Sequence, residues 1–114
     1  MRRLVLLTAL SSMVVGHAVF AADAPAPVAD AMSIARANAC MGCHAVDRKL
    51  VGPSFQQIAA KYKGDSQAGA RLDAKVRDGG SGVWGVIPMP SHPSMNGADI
   101  QKVVAWILAG PPSK

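Results

Sequence analysis

Two thiols and an imidazole occur together in the segment Cys40-Met41-Gly42-Cys43-His44. Cys-x-x-Cys-His is the pattern of covalent haem attachment, in which each cysteine sulfur adds to one vinyl group of the porphyrin. The histidine that follows is then available as the proximal ligand of the iron. The pattern therefore predicts one haem c, bound covalently through Cys40 and Cys43, with His44 as an iron ligand.

Three other interpretations of the two thiols explain less. A zinc site needs four ligands, and because the chain has only two cysteines, His92 or an aspartate would have to complete the site beside His44. A thioredoxin-like redox pair belongs to a strand–helix–strand context, and nothing in this chain indicates a parallel sheet. A structural disulfide leaves the position of His44 unexplained.

The other face of the iron needs a second ligand, and methionine paired with histidine is common in electron carriers. Beyond the first 21 residues the candidates are four methionines and one histidine, namely Met32, Met41, Met89, Met95 and His92. Met89 stands between Pro88 and Pro90, which restrict this segment to extended geometry and limit the freedom of the sulfur. We therefore predict Met89 as the second ligand and keep Met95 and His92 as alternatives.

The first residues have the pattern of a secretory signal peptide. A basic start, Met1-Arg2-Arg3, precedes a mostly apolar run at 4–15 that is short for a membrane span. Small residues then predict cleavage after Ala21, with Ala24 as the alternative site and an uncleaved anchor as the other interpretation. Cleavage of residues 1–21 after export places the mature protein in a bacterial periplasm, with no stable membrane insertion.

Processing also changes the charge of the chain. Loss of Arg2 and Arg3 leaves ten basic and seven acidic side chains, which lowers the formal net charge from +5 to +3. The basic residues are scattered and form no dense run, so the sequence gives no indication of nucleic-acid binding. The remaining 93 residues make one small domain with a modest core. A large apolar cofactor would supply much of the interior, so we expect folding and haem attachment to be coupled.

Hydrophobic spacing predicts an all-α domain at 30–110, between a flexible leader at 22–29 and a tail at 111–114. Four helices are predicted: one capped by Asp30 and ending near Ala39, one that buries Phe55, Ile58, Ala59 and Tyr62, one near 66–78, and one capped by Asn96 that ends before Gly110. The last helix carries the apolar stripe Ile100, Val103, Val104, Ile107 and Leu108, and Trp106 is expected to pack in it.

Several segments together resemble one family, the short bacterial class I cytochromes c, which are small one-haem carriers of denitrifying and related proteobacteria. The segments that carry the resemblance are Cys40-Met41-Gly42-Cys43-His44-Ala45, Val51-Gly52-Pro53, Ile58-Ala59-Ala60-Lys61-Tyr62, Gly82-Val83-Trp84-Gly85, Ile87-Pro88-Met89-Pro90 and Ala105-Trp106-Ile107-Leu108. The resemblance covers nearly all of the predicted domain. It implies the class I cytochrome c fold, in which about four short helices wrap around one haem.

The resemblance also implies roles for single residues. The carbonyl oxygen of Pro53 would accept the Nδ1 proton of His44 and so fix the imidazole tautomer. The indole N–H of Trp84 would bind a haem propionate, although filling of the core is the alternative role for this ring. Lys75 stands where relatives often carry an arginine near a propionate. The compact ammonium of lysine would then replace a guanidinium that can donate two parallel hydrogen bonds.

The function implied by the resemblance is one-electron transfer rather than enzymatic catalysis. The expected protein is a monomeric periplasmic carrier that shuttles electrons from respiratory-chain donors, such as a cytochrome bc complex, to a nitrite reductase, a terminal oxidase or a haem peroxidase. Two alternatives remain at this point. One is a haem enzyme or small-gas or peroxide sensor with a labile methionine ligand, and the other is a haem subunit of a larger oxidoreductase.

Overall fold

Helices account for the regular structure of the part of the chain that the computed structural model describes, residues 26–113. They are α1 (Ala26–Ala37), a 3₁₀ turn (Cys40–Gly42), α2 (Phe55–Lys61), α3 (Ala68–Asp78) and α4 (Gly97–Leu108). The only β interaction in these residues is an isolated antiparallel bridge between Gly80 and Met89. The all-α prediction is therefore confirmed, whereas the predicted signal peptide and its cleavage sites lie outside the described residues.

Helix α1 begins earlier than the sequence indicates. It starts at Ala26, four residues before the predicted cap Asp30, so that prediction is wrong and the end of the predicted leader is helical. Pro27 falls in the first turn, where the missing N–H of proline costs no helical hydrogen bond. The helix ends two residues earlier than predicted, at Ala37, and Ala39 then adopts the left-handed conformation with φ of 59°.

Side-chain caps fix where α2 and α4 start. Ser54 accepts a hydrogen bond from the backbone N–H of Gln57, while the Gln57 side chain accepts from the N–H of Ser54. This reciprocal capping box satisfies two backbone donors that the first turn leaves free. Asn96 caps α4 as predicted, by accepting from the N–H of Ala98 at 2.8 Å.

Helix α4 is the centre of the packing, because α1, α2 and α3 all contact it. The buried apolar residues form one cluster, Ala31, Ala35, Phe55, Ile58, Leu72, Met95, Ile100, Val103, Val104, Trp106 and Ile107. The small side chains of Ala31 and Ala35 are fully buried on α1, which lets its backbone approach α4 closely. The packing role predicted for Trp106 is confirmed, since its ring is buried and meets Phe55 edge-on with centroids 5.2 Å apart.

At the surface, one ion pair ties α4 to α1. The Lys102 ammonium lies 2.9 Å from a carboxylate oxygen of Asp30, and this contact raises the pKa of Lys102. Within residues 26–113, none of the helices combines the length and the apolar character that a membrane crossing requires.

Candidate haem-binding site

His44 is held by a short hydrogen bond from its ring. Its Nδ1 lies 2.6 Å from the carbonyl oxygen of Pro53, the contact that the resemblance implied. Because a carbonyl oxygen can only accept, Nδ1 carries a proton, and Nε2 is the ring nitrogen available to bind a metal. The histidine is therefore prepared as a metal ligand through Nε2, with its tautomer set by the chain itself.

The imidazole is also enclosed by its neighbours. A methyl group at Gly52 would lie 2.6 Å from Cε1 of His44 and 3.0 Å from Nδ1, so only glycine fits there. Phe55 stacks on the imidazole with centroids 5.5 Å apart and an angle of 20° between the planes. The close approach of Gly52 to His44 was not predicted, because it depends on how the chain turns back between residues 44 and 52, which hydrophobic spacing does not encode.

The two cysteines lie on one tight turn that ends at His44. Cys40 begins the 3₁₀ turn, and its carbonyl oxygen accepts from the N–H groups of Cys43 at 3.2 Å and His44 at 2.9 Å. Both side chains are free thiols and half-buried, which gives no support to a structural disulfide. Burial raises the pKa of the Cys40 thiol, and a backbone hydrogen bond lowers it by a smaller amount.

The described residues also fail to assemble the zinc site considered above. Across 26–113, no three histidine, cysteine or acidic side chains come together in a group able to hold a metal ion. The two thiols and the imidazole therefore stand alone as a Cys-x-x-Cys-His unit, whose donor chemistry fits haem attachment rather than a tetrahedral zinc centre.

Met89 is held by its backbone. Its N–H donates to the carbonyl oxygen of Gly80 and its own carbonyl oxygen accepts from the N–H of Gly80, both at 3.0 Å. Next to this bridge, Gly79 has φ of 71°, and a methyl group there would lie 2.5 Å from the Met89 carbonyl oxygen. The Lys75 ammonium also donates a hydrogen bond to the carbonyl oxygen of Gly79, at 3.1 Å. The end of α3 thus fixes the backbone position of Met89.

The alternative ligands occupy different surroundings. Met95 is 7% exposed and belongs to the apolar core, and Met32 packs against that core. His92 is half-buried, its N–H donates to carbonyl oxygens at the end of α3, and its Nδ1 is buried without a partner. Among the four methionines of the described residues, Met89 alone belongs neither to the core nor to the residues packed against it.

Trp84 lies at the surface rather than in the core. Its side chain is 42% exposed, which removes core filling as its role. The ammonium of Lys61 lies over the indole ring, 5.2 Å from its centroid. This cation–π contact was missed, because nothing in the sequence connects the end of α2 with a loop 23 residues further on.

Comparison with known proteins gives the class of the protein. Residues 28–110 match the sequence model of the cytochrome c family, and the chain belongs to that family. It is a small class I cytochrome c, a type of electron-transfer protein that carries a covalently bound c-type haem.

The relatives of the chain are bacterial. The chain is 46% identical over 85 residues to cytochrome c-551 of Allochromatium vinosum. The aligned region covers 75% of this chain and 89% of the relative. It is 44% identical to cytochrome c-552 of Nitrosomonas europaea over 66% of this chain and 73% of that one. The crystal structure of that c552 superposes with a TM-score of 0.67 at 42% identity, covering 69% of this chain and 98% of the other. The crystal structure of the class 1 cytochrome MtoD of Sideroxydans lithotrophicus superposes with a TM-score of 0.64 at 32% identity. The match covers 72% of this chain and 94% of that one.

Proposed function

We propose that the protein is a periplasmic one-electron carrier in which His44 and Met89 are the axial ligands of the iron. The observation that carries this proposal is the double backbone hydrogen bond between Met89 and Gly80, which fixes one methionine outside the core. The bond between His44 and Pro53 supports the other half of the assignment. Ligation by both residues leaves no open position for oxygen or peroxide, which favours electron transfer over catalysis.

Each residue of the site has a separate task in this proposal. Cys40 and Cys43 would hold the haem through two thioether links, and His44 would bind its iron through Nε2. When bound, the haem supplies a one-electron couple between ferrous and ferric iron. Met89 offers a soft thioether sulfur, which favours the ferrous state. Trp84 and Lys75 supply an indole N–H and an ammonium that suit the haem propionates as partners.

The periplasmic location is supported by the signal-peptide pattern at 1–21. Covalent attachment after export keeps the cofactor on the exported chain. Mass spectrometry of the purified holoprotein tests the processing: an N-terminus at Ala22 or at Pro25 supports cleavage after Ala21 or after Ala24. A protein that retains Met1 and fractionates with the membrane contradicts it.

The apolar surface beside the site is suited to brief docking of redox partners. Exposed apolar side chains concentrate on two segments, namely Leu50, Val51, Val83, Trp84, Val86 and Ile87. Transient electron-transfer contacts are small, and surrounding charges steer the orientation more than they add affinity. Arg48 and Lys49 stand beside the first of these segments, so we propose redox partners with an acidic rim, among them a periplasmic reductase or oxidase and a cytochrome bc donor.

Optical spectra of matched methionine variants test the ligand assignment. Met89→Leu and Met95→Leu each remove a thioether while keeping the volume of the side chain. We expect Met89→Leu to abolish the sulfur-to-iron charge-transfer band of the ferric protein, and Met95→Leu to retain it. Loss of the band in Met95→Leu alone overturns the assignment. Rapid binding of carbon monoxide to the reduced wild-type protein indicates a labile site and favours a haem enzyme or sensor.

A further inference from the structure

We infer that Lys61 is a positioning residue for the loop that carries Met89. Its ammonium over the Trp84 ring ties the tip of this loop to the end of α2. The loop comprises residues 80–89, which we call the ligand loop. The consequence for the iron rests on the proposed ligation by Met89, whereas the tie between the loop and α2 does not.

The ligand loop is closed mainly on itself. Its base is the pair of hydrogen bonds between Gly80 and Met89, and inside it the N–H of Gly82 donates to the carbonyl oxygen of Gly85 at 2.8 Å. Among residues 26–113, no hydrogen bond joins 81–88 to the remainder of the structure. The loop tip therefore depends on side-chain contacts to keep its position.

Those side-chain contacts are few. Val86 is 90% exposed and Ile87 is 65% exposed, so neither side chain packs against the rest of residues 26–113. Trp84 is the largest side chain of the loop, and the ammonium of Lys61 over its ring joins it to a helix. A cation close to an aromatic face is attracted by the quadrupole of the ring, and this attraction persists at exposed sites.

Helix α2 fixes the backbone position of Lys61. The helix starts at the Ser54 capping box, directly after Pro53, whose carbonyl oxygen accepts the His44 proton. Lys61 is its last residue, and a cation there also complements the negative end of the helix dipole. One short helix thus connects the support of the proximal histidine with the loop of the proposed distal methionine.

Hydrogen exchange of loop amides in the holoprotein tests the tie directly. The variants are Lys61→Gln, which removes the cation, and Lys61→Arg, which keeps a cation that interacts well with aromatic rings. Lys63→Gln is the matched control, because it removes an exposed charge near the same helix end. We expect Lys61→Gln to accelerate exchange of the Gly82 and Met89 amides about two- to fivefold, as an exposed cation–π contact predicts. Lys61→Arg and Lys63→Gln should stay near the wild-type rates.

The two possible failures are distinguishable. Unchanged exchange in Lys61→Gln, or equal acceleration in Lys63→Gln, overturns the tie whatever the iron ligands are. The affinity of the ferric protein for added imidazole, which competes with Met89 for the iron, then measures how firmly Met89 is held. An imidazole affinity about two- to fivefold higher in Lys61→Gln supports positioning of the ligand. Faster amide exchange with an unchanged imidazole affinity keeps the tie but overturns its role in holding Met89.

Discussion

At the scale of single residues, two glycines determine whether the proposed ligands can take their places. Gly52 has no special backbone conformation and is required by space alone, because the His44 ring fills the volume that a side chain would need. Gly79 is required twice, by its positive φ of 71° and by the closeness of the Met89 backbone. Each proposed ligand thus packs closely against a glycine.

Replacement of Gly52 by alanine should damage the proximal side. The new methyl group would lie 2.6 Å from the imidazole, and overpacking of this kind costs typically about 1–3 kcal/mol in the free energy of unfolding. Gly69→Ala is the matched control, because its methyl group meets nothing within 4 Å and lies in the first turn of α3. There alanine should cost no stability, since it is the better helix former and has room. Denaturant unfolding of both holoproteins measures the difference, and equal stabilities would contradict the close approach.

At the scale of elements, the start of α2 matters more than its length. This seven-residue helix is too short to be stable alone, and its capping box lies next to the carbonyl group that orients His44. The Ser-x-x-Gln spacing that forms the box is present in the sequence, but it was not used to predict where α2 starts. Pro27 falls within the predicted flexible leader at 22–29, although the first turn of a helix tolerates proline.

Loss of either helix cap should therefore lower the free energy of unfolding, but only loss of the Ser54 cap should change the properties of the haem site. Ser54→Ala and Asn96→Ala each remove a side-chain cap, at a cost of about 0.5–2 kcal/mol. Only Ser54 lies beside the His44–Pro53 bond, and loosening that bond weakens the donation of the imidazole to ferric iron. We expect Ser54→Ala to raise the reduction potential, measured by redox titration, while Asn96→Ala leaves it unchanged. Equal potentials would show that the cap does not support the histidine.

At the scale of the whole molecule, the parts that sequence predicted well are those that local spacing encodes. The apolar stripe of α4, its Asn96 cap and the end of α3 at Gly79 all appear as predicted. The contacts that were missed, between Gly52 and His44, Gly79 and Met89, and Lys61 and Trp84, each join segments that no local pattern relates. Resemblance to relatives supplied the Pro53 contact, which spacing alone did not give.

The composition of the core indicates that the fold depends on haem attachment. Phe55 and Ile100 are the largest apolar side chains of the described residues that are fully buried, and α1 contributes alanines at its contact with α4. Helices of seven to twelve residues need tertiary packing to persist in water, and a chain of this size has only a modest apolar core with which to provide it.

We therefore expect the double variant Cys40→Ala/Cys43→Ala, which removes both attachment points, to lack a cooperative unfolding transition. Circular dichroism during thermal unfolding measures this in the purified haem-free chain. Met89→Leu is the control, because it keeps both thioether links and should unfold cooperatively even if its iron ligation changes. A haem-free chain with native helix content and a sharp transition would mean that the packing of α4 against its neighbours suffices for the fold, and that the haem joins a structure already formed.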